Sequence, residues 1–237
     1  MNVYEQQVMH NLATWKKEMM QESSLVNRFS KKVQTKVQEL IPEKAHAIIT
    51  ETMKKMVQGI VIGTDFIQPV LKNKALTLQE RDERVKKKIE DYKKIAAVEG
   101  AGTGAGGILL GLADFPLLLT IKIKFLFDAA TLYGYDTSKE EERLFLLHIF
   151  QLAFSSDEHR RDIFSIVENW EEEKGRHMDW RKFQQEYRDY IDFVKMLQLV
   201  PFIGAPVGAY ANYNLLQRLG DITIKCYQMR WLNEHKE

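Results

Sequence analysis

Cysteine is almost missing from this chain: Cys226 is the only one in 237 residues. A single thiol excludes an intramolecular disulfide and any multi-cysteine zinc site, and it fits a reducing, cytoplasmic setting. Proline is scarce too, with five in all, and no low-complexity linker interrupts the chain, so a single domain over residues 1–237 is expected. Residues 1–20 lack an apolar h-region with a small-residue cleavage site. They carry Glu5, Lys16, Lys17 and Glu18 and read as a helix rather than a signal peptide. Strand-type alternation is also lacking. No G-x-S-x-G elbow occurs, which removes the usual signature of an α/β-hydrolase nucleophile.

Charge of one sign is nearly absent as a net quantity, at +1, but it is unevenly spread. Residues 1–98 hold 18 Lys and Arg against 12 Asp and Glu, an excess of +6, while residues 99–237 hold 16 against 21, which gives −5. The basic run Arg81–Lys94 is interleaved with Asp82, Glu83, Glu90 and Asp91. A nucleic-acid footprint needs clustered, unopposed cations, so none is expected here. Lys86, Lys87, Lys88, Lys93 and Lys94 remain as membrane-facing candidates, the alternative being an ordinary solvated face.

What is plentiful is apolar residues, 45% of the chain, placed at helical intervals. Val8, Leu12, Trp15 and Met19 form one stripe, and Val26, Phe29, Val33, Val37 and Leu40 a second. Pro42 suits the first turn of a helix through Ile48, Thr52, Met56 and Ile60. Thr77 with Glu80 has capping-box spacing before Val85, Ile89, Tyr92 and Ala96. Ser138 with Glu141 and Ser155 with Glu158 repeat that spacing, ahead of Leu144 and Leu147 and of Ile163, Val167 and Trp170. Leu118, Ile121, Phe125, Ala129 and Leu132 form a stripe that Gly134 is expected to end. Trp180, Phe183, Tyr187, Ile191, Val194 and Leu197 form the cleanest one, halted by Pro201. The fold class that follows is all-α, a single multi-helix bundle-like domain of roughly eight or nine helices.

Glycine is not scarce but concentrated. Six of thirteen fall at 100, 102, 104, 106, 107 and 111, beside an apolar run ending at Pro116. Small residues recur four apart, as in Gly100 with Gly104 and Gly102 with Gly106, and a weaker echo places Gly204 and Gly208 after Pro201. Each glycine costs a helix interior roughly 1 kcal/mol relative to alanine, so a close helix approach is the expected compensation. The two segments are therefore expected to pack at the domain's centre. Gly102, Gly104 and Gly107 satisfy G-x-G-x-x-G in letters only, since a helix and not a strand precedes them, and no Lys-Ser or Lys-Thr makes a P-loop. Residues 101–121 have the length of a membrane span, but Asp114, Pro116 and a mean hydropathy of −0.34 oppose it. A buried hairpin, or one dipping into the membrane interface, is expected instead.

Ile41-Pro42-Glu43-Lys44, the glycine segment leading to Gly111-Leu-Ala-Asp114 and Pro116, Tyr133-Gly134-Tyr135-Asp136, Glu142-Arg143, and Val200-Pro201 with Gly204-Ala205 and Gly208-Ala209 through Asn212-Tyr213 occur in this order. This pattern, covering residues from about Ile41 to Leu232, resembles the EcsC family of bacterial proteins. The resemblance implies a cytoplasmic accessory factor of a transport system, associated with an ABC exporter and touching the membrane peripherally. It implies no agreed enzymatic activity and no cofactor.

The candidate interaction residues are Gly104, Asp114, Pro116, Lys122, Lys124, Tyr133, Tyr135 and Asn212. Asp114 is either an acid that must be paired within an apolar segment or the cap of the helix that Pro116 opens. Lys122 and Lys124 are counter-charges or snorkelling side chains, and Tyr133 and Tyr135 are interfacial anchors or turn packing. Cys226 reads as a core residue, and His148 as a structural partner of Glu141 or Glu142. No metal set is evident: Glu43 with His46 is a lone E-x-x-H pair. The leading expectation is a non-enzymatic interaction protein at the cytoplasmic membrane surface. A helical carrier or sensor enclosing an apolar, lipid-like ligand comes second, and an enzyme centred on Asp114 third.

Overall fold

The structure is a computed structural model that describes residues 1–21, 43–62, 67, 76–104, 115–155, 157–173 and 205–235. Among the described residues there are eight helices and no strand: α1 (Val3–Met20), α2 (Glu43–Ile62), α3 (Leu78–Gly104), α4 (Phe115–Tyr133), α5 (Glu140–Phe154), α6 (Asp157–Glu168), α7 (Trp170–Glu173) and α8 (Ala205–Glu234). The protein is all-α. The stripes around residues 26–40 and 180–197, together with Pro42, Asp114, Pro201 and glycines 106, 107, 111 and 204, lie outside the described residues.

Most members of the described stripes bury as their spacing predicts, while Met19, Thr52, Met56, Leu132 and Leu144 are half-buried at the edge of the core. Val8, Leu12 and Trp15 of α1, Val85, Ile89, Tyr92 and Ala96 of α3, and Ile163, Val167 and Trp170 all join one core, as does Cys226. Thr77 and Glu80 form the expected box: the Thr77 amide donates to Glu80 Oε2 at 2.8 Å and the Glu80 amide to Thr77 Oγ1 at 3.3 Å. Gly134 ends α4 at φ +91°, and a Cβ there would also meet Arg81 Nη1 at 2.8 Å. The other two boxes do not form. Ser138 gives both its amide and its hydroxyl to Asp136 Oδ1, so Lys139 caps α5 without a side-chain bond. Ser155 closes α5 rather than opening α6, its amide bonding the Gln151 carbonyl at 2.7 Å.

The longest helices, α3 with 27 residues and α8 with 30, form the most extensive pairing. Their contacts fix an antiparallel register: Arg81 lies over Trp231, Asp82 meets Gln228, Ile89 faces Gly220, and Lys93 reaches Gln217. Helix α4 packs on α3 in the same antiparallel sense, through Arg81 to the Leu132 carbonyl, Asp82 to Tyr133, Lys88 to Asp128, and Tyr92 edge-on to Phe125. Helix α1 is fastened on the outside by Trp15 against Phe164 and by Tyr4 against Asp82.

Candidate functional site

These registers give the α3, α4 and α8 trio two unlike ends. At one end, the start of α3 meets the finish of α4 and of α8, and two acids are buried. Asp82 has no exposed surface and accepts from Tyr133 at Oδ1, and from Tyr4 and Gln228 at Oδ2, both at 2.6 Å. Glu142 on α5 accepts from Tyr227 at Oε1 and from Arg230 at Oε2. The rings of Tyr133 and Tyr227 stack at 4.7 Å and so join the two clusters, with Tyr135 stacked on the outer side of Tyr227 at 5.2 Å. Arg230 lies 3.9 Å over Tyr135 and also approaches Glu171 and Glu234.

The electrostatics of this end suit clamping. Burial and then the neighbouring Asp82 push the Tyr133 phenol well up, and burial with Glu142 does the same to Tyr227, so both remain hydrogen-bond donors through the physiological range. Burial raises Glu142 as well, against the opposing pull of Arg230. The carboxylate oxygens of Asp82 and Glu142 each hold a partner, which ties α1, α3, α4, α5 and α8 together. Spacing could have revealed these acids: Asp82 is in phase with Leu78, Val85 and Ile89, and Glu142 with Phe145 and Ile149.

Among the described residues, the opposite end exposes apolar side chains. The register sets the end of α3 level with the first turns of α4 and the first half of α8, and large apolar side chains stand exposed there. They are Val98 at 72%, Ile95 at 47%, Leu117 at 44% and Tyr213 at 36%. Lys87, Asp91, Lys94 and Val98 recur at intervals of four and three along one exposed line of α3. Between α2 and α4 runs a groove of about 410 Å³, with Pro116 on its wall.

The sequence-derived candidates distribute across both ends. Gly104 is the last residue of α3, and Pro116 is exposed in the first turn of α4. Lys122 is buried and does not snorkel: its ammonium donates to the Leu118 carbonyl one turn back, at 3.3 Å. Lys124 is exposed. Tyr133 is core packing rather than an interfacial anchor, and half-buried Tyr135 donates to Glu234 at 3.0 Å, both at the clamped end. Asn212 is half-buried on α8 beside Tyr213.

Of the basic candidates, Lys86, Lys87 and Lys94 are exposed. Lys88 and Lys93 are not a free membrane-facing pair. Lys88 reaches Asp128 at 3.1 Å, while Lys93 is buried against Glu90 at 2.7 Å, Gln217 at 2.6 Å and the Tyr213 ring at 4.0 Å. Lys93 turns inward where α8 packs on α3, while Lys88 stays partly exposed as it reaches across to α4. His148 is not paired with Glu141 or Glu142 either; its Nδ1 meets Gln151 at 3.0 Å and its ring sits edge-on to Trp170. Among the described residues no group of His, Cys, Asp and Glu could hold a metal ion. No described helix is long and apolar enough to cross a membrane.

Clamped at one end and exposing apolar side chains at the other, the described helices define an all-α protein. The EcsC protein family model matches residues 6–232, and the chain belongs to that family. It is similar to Protein EcsC of Bacillus subtilis (strain 168), with 52% identity over 229 residues that cover 97% of each chain. It is also similar to Uncharacterized protein YdbA of the same organism, with 29% identity over 208 residues, 85% of this chain and 74% of the relative. No solved structure matches.

Proposed function

We propose that the chain is a non-enzymatic accessory protein that docks on the cytoplasmic membrane surface, or on a membrane transport system seated there, through the apolar end of the α3, α4 and α8 trio. The observation that carries this reading is the exposure of Ile95, Val98 and Leu117 towards that end, with Lys87 and Lys94 on the exposed line of α3 that runs to Val98. A water-facing surface has no use for such a group, whereas a bilayer interface takes up both its parts.

The magnitude suits reversible contact. Completing the burial of these three aliphatic side chains contributes about 2–5 kcal/mol, and two lysines near an anionic surface add about 2 kcal/mol. That is comparable to one acyl anchor and far below a spanning helix. The test is liposome flotation of the purified chain with neutral and anionic vesicles at low and high salt. Flotation with anionic vesicles that salt weakens is expected. Val98→Glu combined with Leu117→Glu should abolish it without moving the unfolding midpoint, and Lys87→Glu with Lys94→Glu should reduce it. No flotation at low salt with either vesicle would overturn lipid docking and leave a protein partner for the same end.

A further inference from the structure

We infer that the groove between α2 and α4 is a binding site for a free single-chain carboxylate of the fatty-acid class, with the acyl chain along the groove and the carboxylate at Lys55. The inference stands independently of membrane docking, because different residues carry it. The base of the groove is apolar: Leu119 and Ile123 of α4 are buried and Met56 of α2 is half-buried. On the α2 side the wall is bare backbone at Gly59, where an added Cβ would meet nothing within 4 Å. A volume of about 410 Å³ falls within the ~300–1,000 Å³ of small-molecule sites.

The walls select the ligand. Met56, Gly59, Pro116, Leu119 and Ile123 offer the groove no side-chain hydrogen-bonding group, and the Thr120 hydroxyl is already given to the Pro116 carbonyl at 2.8 Å, so a peptide, sugar or nucleotide would find few partners for its polar groups. A methylene chain makes no such demand. Among the described residues, Lys55 lines the groove three residues after Thr52 on the same edge of α2, and exposed Lys124 lies one turn beyond Thr120 on α4. The acid near Lys55 is Glu51 at 3.7 Å, a loose pair with both side chains more than half in water, which an incoming carboxylate can displace. A mostly apolar channel with a basic mouth therefore matches a long-chain monoanion.

The probe is dansylaminoundecanoic acid, whose fluorescence rises in an apolar site, titrated into the purified chain and displaced by dodecanoate. Saturable binding is expected. Gly59→Leu should fill the groove and weaken binding by at least about tenfold, while its melting temperature stays level or rises, since leucine is the better helix former and its Cβ has nothing within 4 Å to clash with. Thr120→Trp, at an exposed position, should block the groove independently of α2. Lys55→Glu should weaken dodecanoate by about fivefold yet leave the neutral dodecanol unchanged. Gly59→Leu should still float with vesicles, and the Val98→Glu, Leu117→Glu variant should still bind the probe, so the two readings fail separately. No saturable binding to the native chain, or affinity unchanged in both Gly59→Leu and Thr120→Trp, would overturn the inference.

Discussion

Replacing Gly220 by alanine should alter stability with a sign that residue 89 sets. Helices α3 and α8 approach so closely here that a Cβ on Gly220 would overlap Ile89 Cδ1 and come within 2.5 Å of its Cγ1 and 3.2 Å of its Cγ2. Carbon atoms pack at about 3.5–4.0 Å, so the nearest atoms must move by roughly 1 Å. Ile89 is β-branched and stiff about χ1 inside a helix, so it cannot swing both branches clear. Overpacking of this kind costs about 1–3 kcal/mol, while exchanging glycine for alanine within a helix returns about 1 kcal/mol. Gly220→Ala should therefore be neutral to about 2 kcal/mol destabilising in the native background. Ile89→Ala by itself should cost about 2–5 kcal/mol, but it deletes all three clashing atoms. In that background Gly220→Ala should stabilise by about 1 kcal/mol. Urea titration of the four proteins, followed by circular dichroism and fitted for midpoint and slope, measures the coupling directly. An effect of Gly220→Ala equal in sign and size in both backgrounds would refute the close approach of α3 and α8.

Tyr133→Phe removes the donor to Asp82 Oδ1 and leaves Oδ2 with Tyr4 and Gln228, so urea titration should find a loss of about 1.5–3 kcal/mol, as for a bond to a charged acceptor. Burial pushes the His148 imidazole down from 6.5 to about 4. The unfolded chain then binds the proton more readily, so stability is full above pH 6.5 and falls by up to about 3 kcal/mol as pH drops towards 4; His148→Gln should flatten that part of the stability profile. Burial likewise pushes the Lys122 ammonium down from 10.5 to about 8. Between those values the unfolded chain holds the extra proton, so stability should rise with pH across the window. Lys122→Met should raise stability at neutral pH by about 1–3 kcal/mol and erase the rise, read as the melting temperature against pH.

Much of the fold was legible because helical burial leaves a periodic trace: Val85, Ile89, Tyr92 and Ala96 state which face of α3 is inward before any neighbour is known. Gly134 was legible for a different reason, since a glycine just past an apolar stripe is a ready left-handed terminus. The misreadings share one cause, partners that local spacing does not rank. Ser138 had Glu141 three residues ahead, but Asp136 two residues behind captured both its amide and its hydroxyl. Lys93 looked like its exposed neighbours Lys94 and Lys87 in composition, yet the helix phase turns it towards Gln217 and Tyr213. The clamped end needed long-range information of that kind, because Asp82 finds Tyr4, Tyr133 and Gln228 at separations of 78, 51 and 146 residues. The exposed Ile95, Val98 and Leu117 were hidden for the converse reason: apolar letters in a helix read as inward until the packing leaves them out.

The lone thiol is more than a mark of redox setting. Cys226 sits on α8 with 1% of its surface reachable, and burial holds its sulfur in the unreactive protonated form. An aromatic disulfide reagent can therefore modify the native chain only during excursions that uncover the buried face of α8 carrying Cys226, and the colour released times those excursions without any engineered label. Ligand or vesicle added to the same cuvette will lengthen the reaction only if it holds that helix down. The chain thus carries one intrinsic stopwatch, placed on the longest helix, against which every partner proposed for either end can be timed.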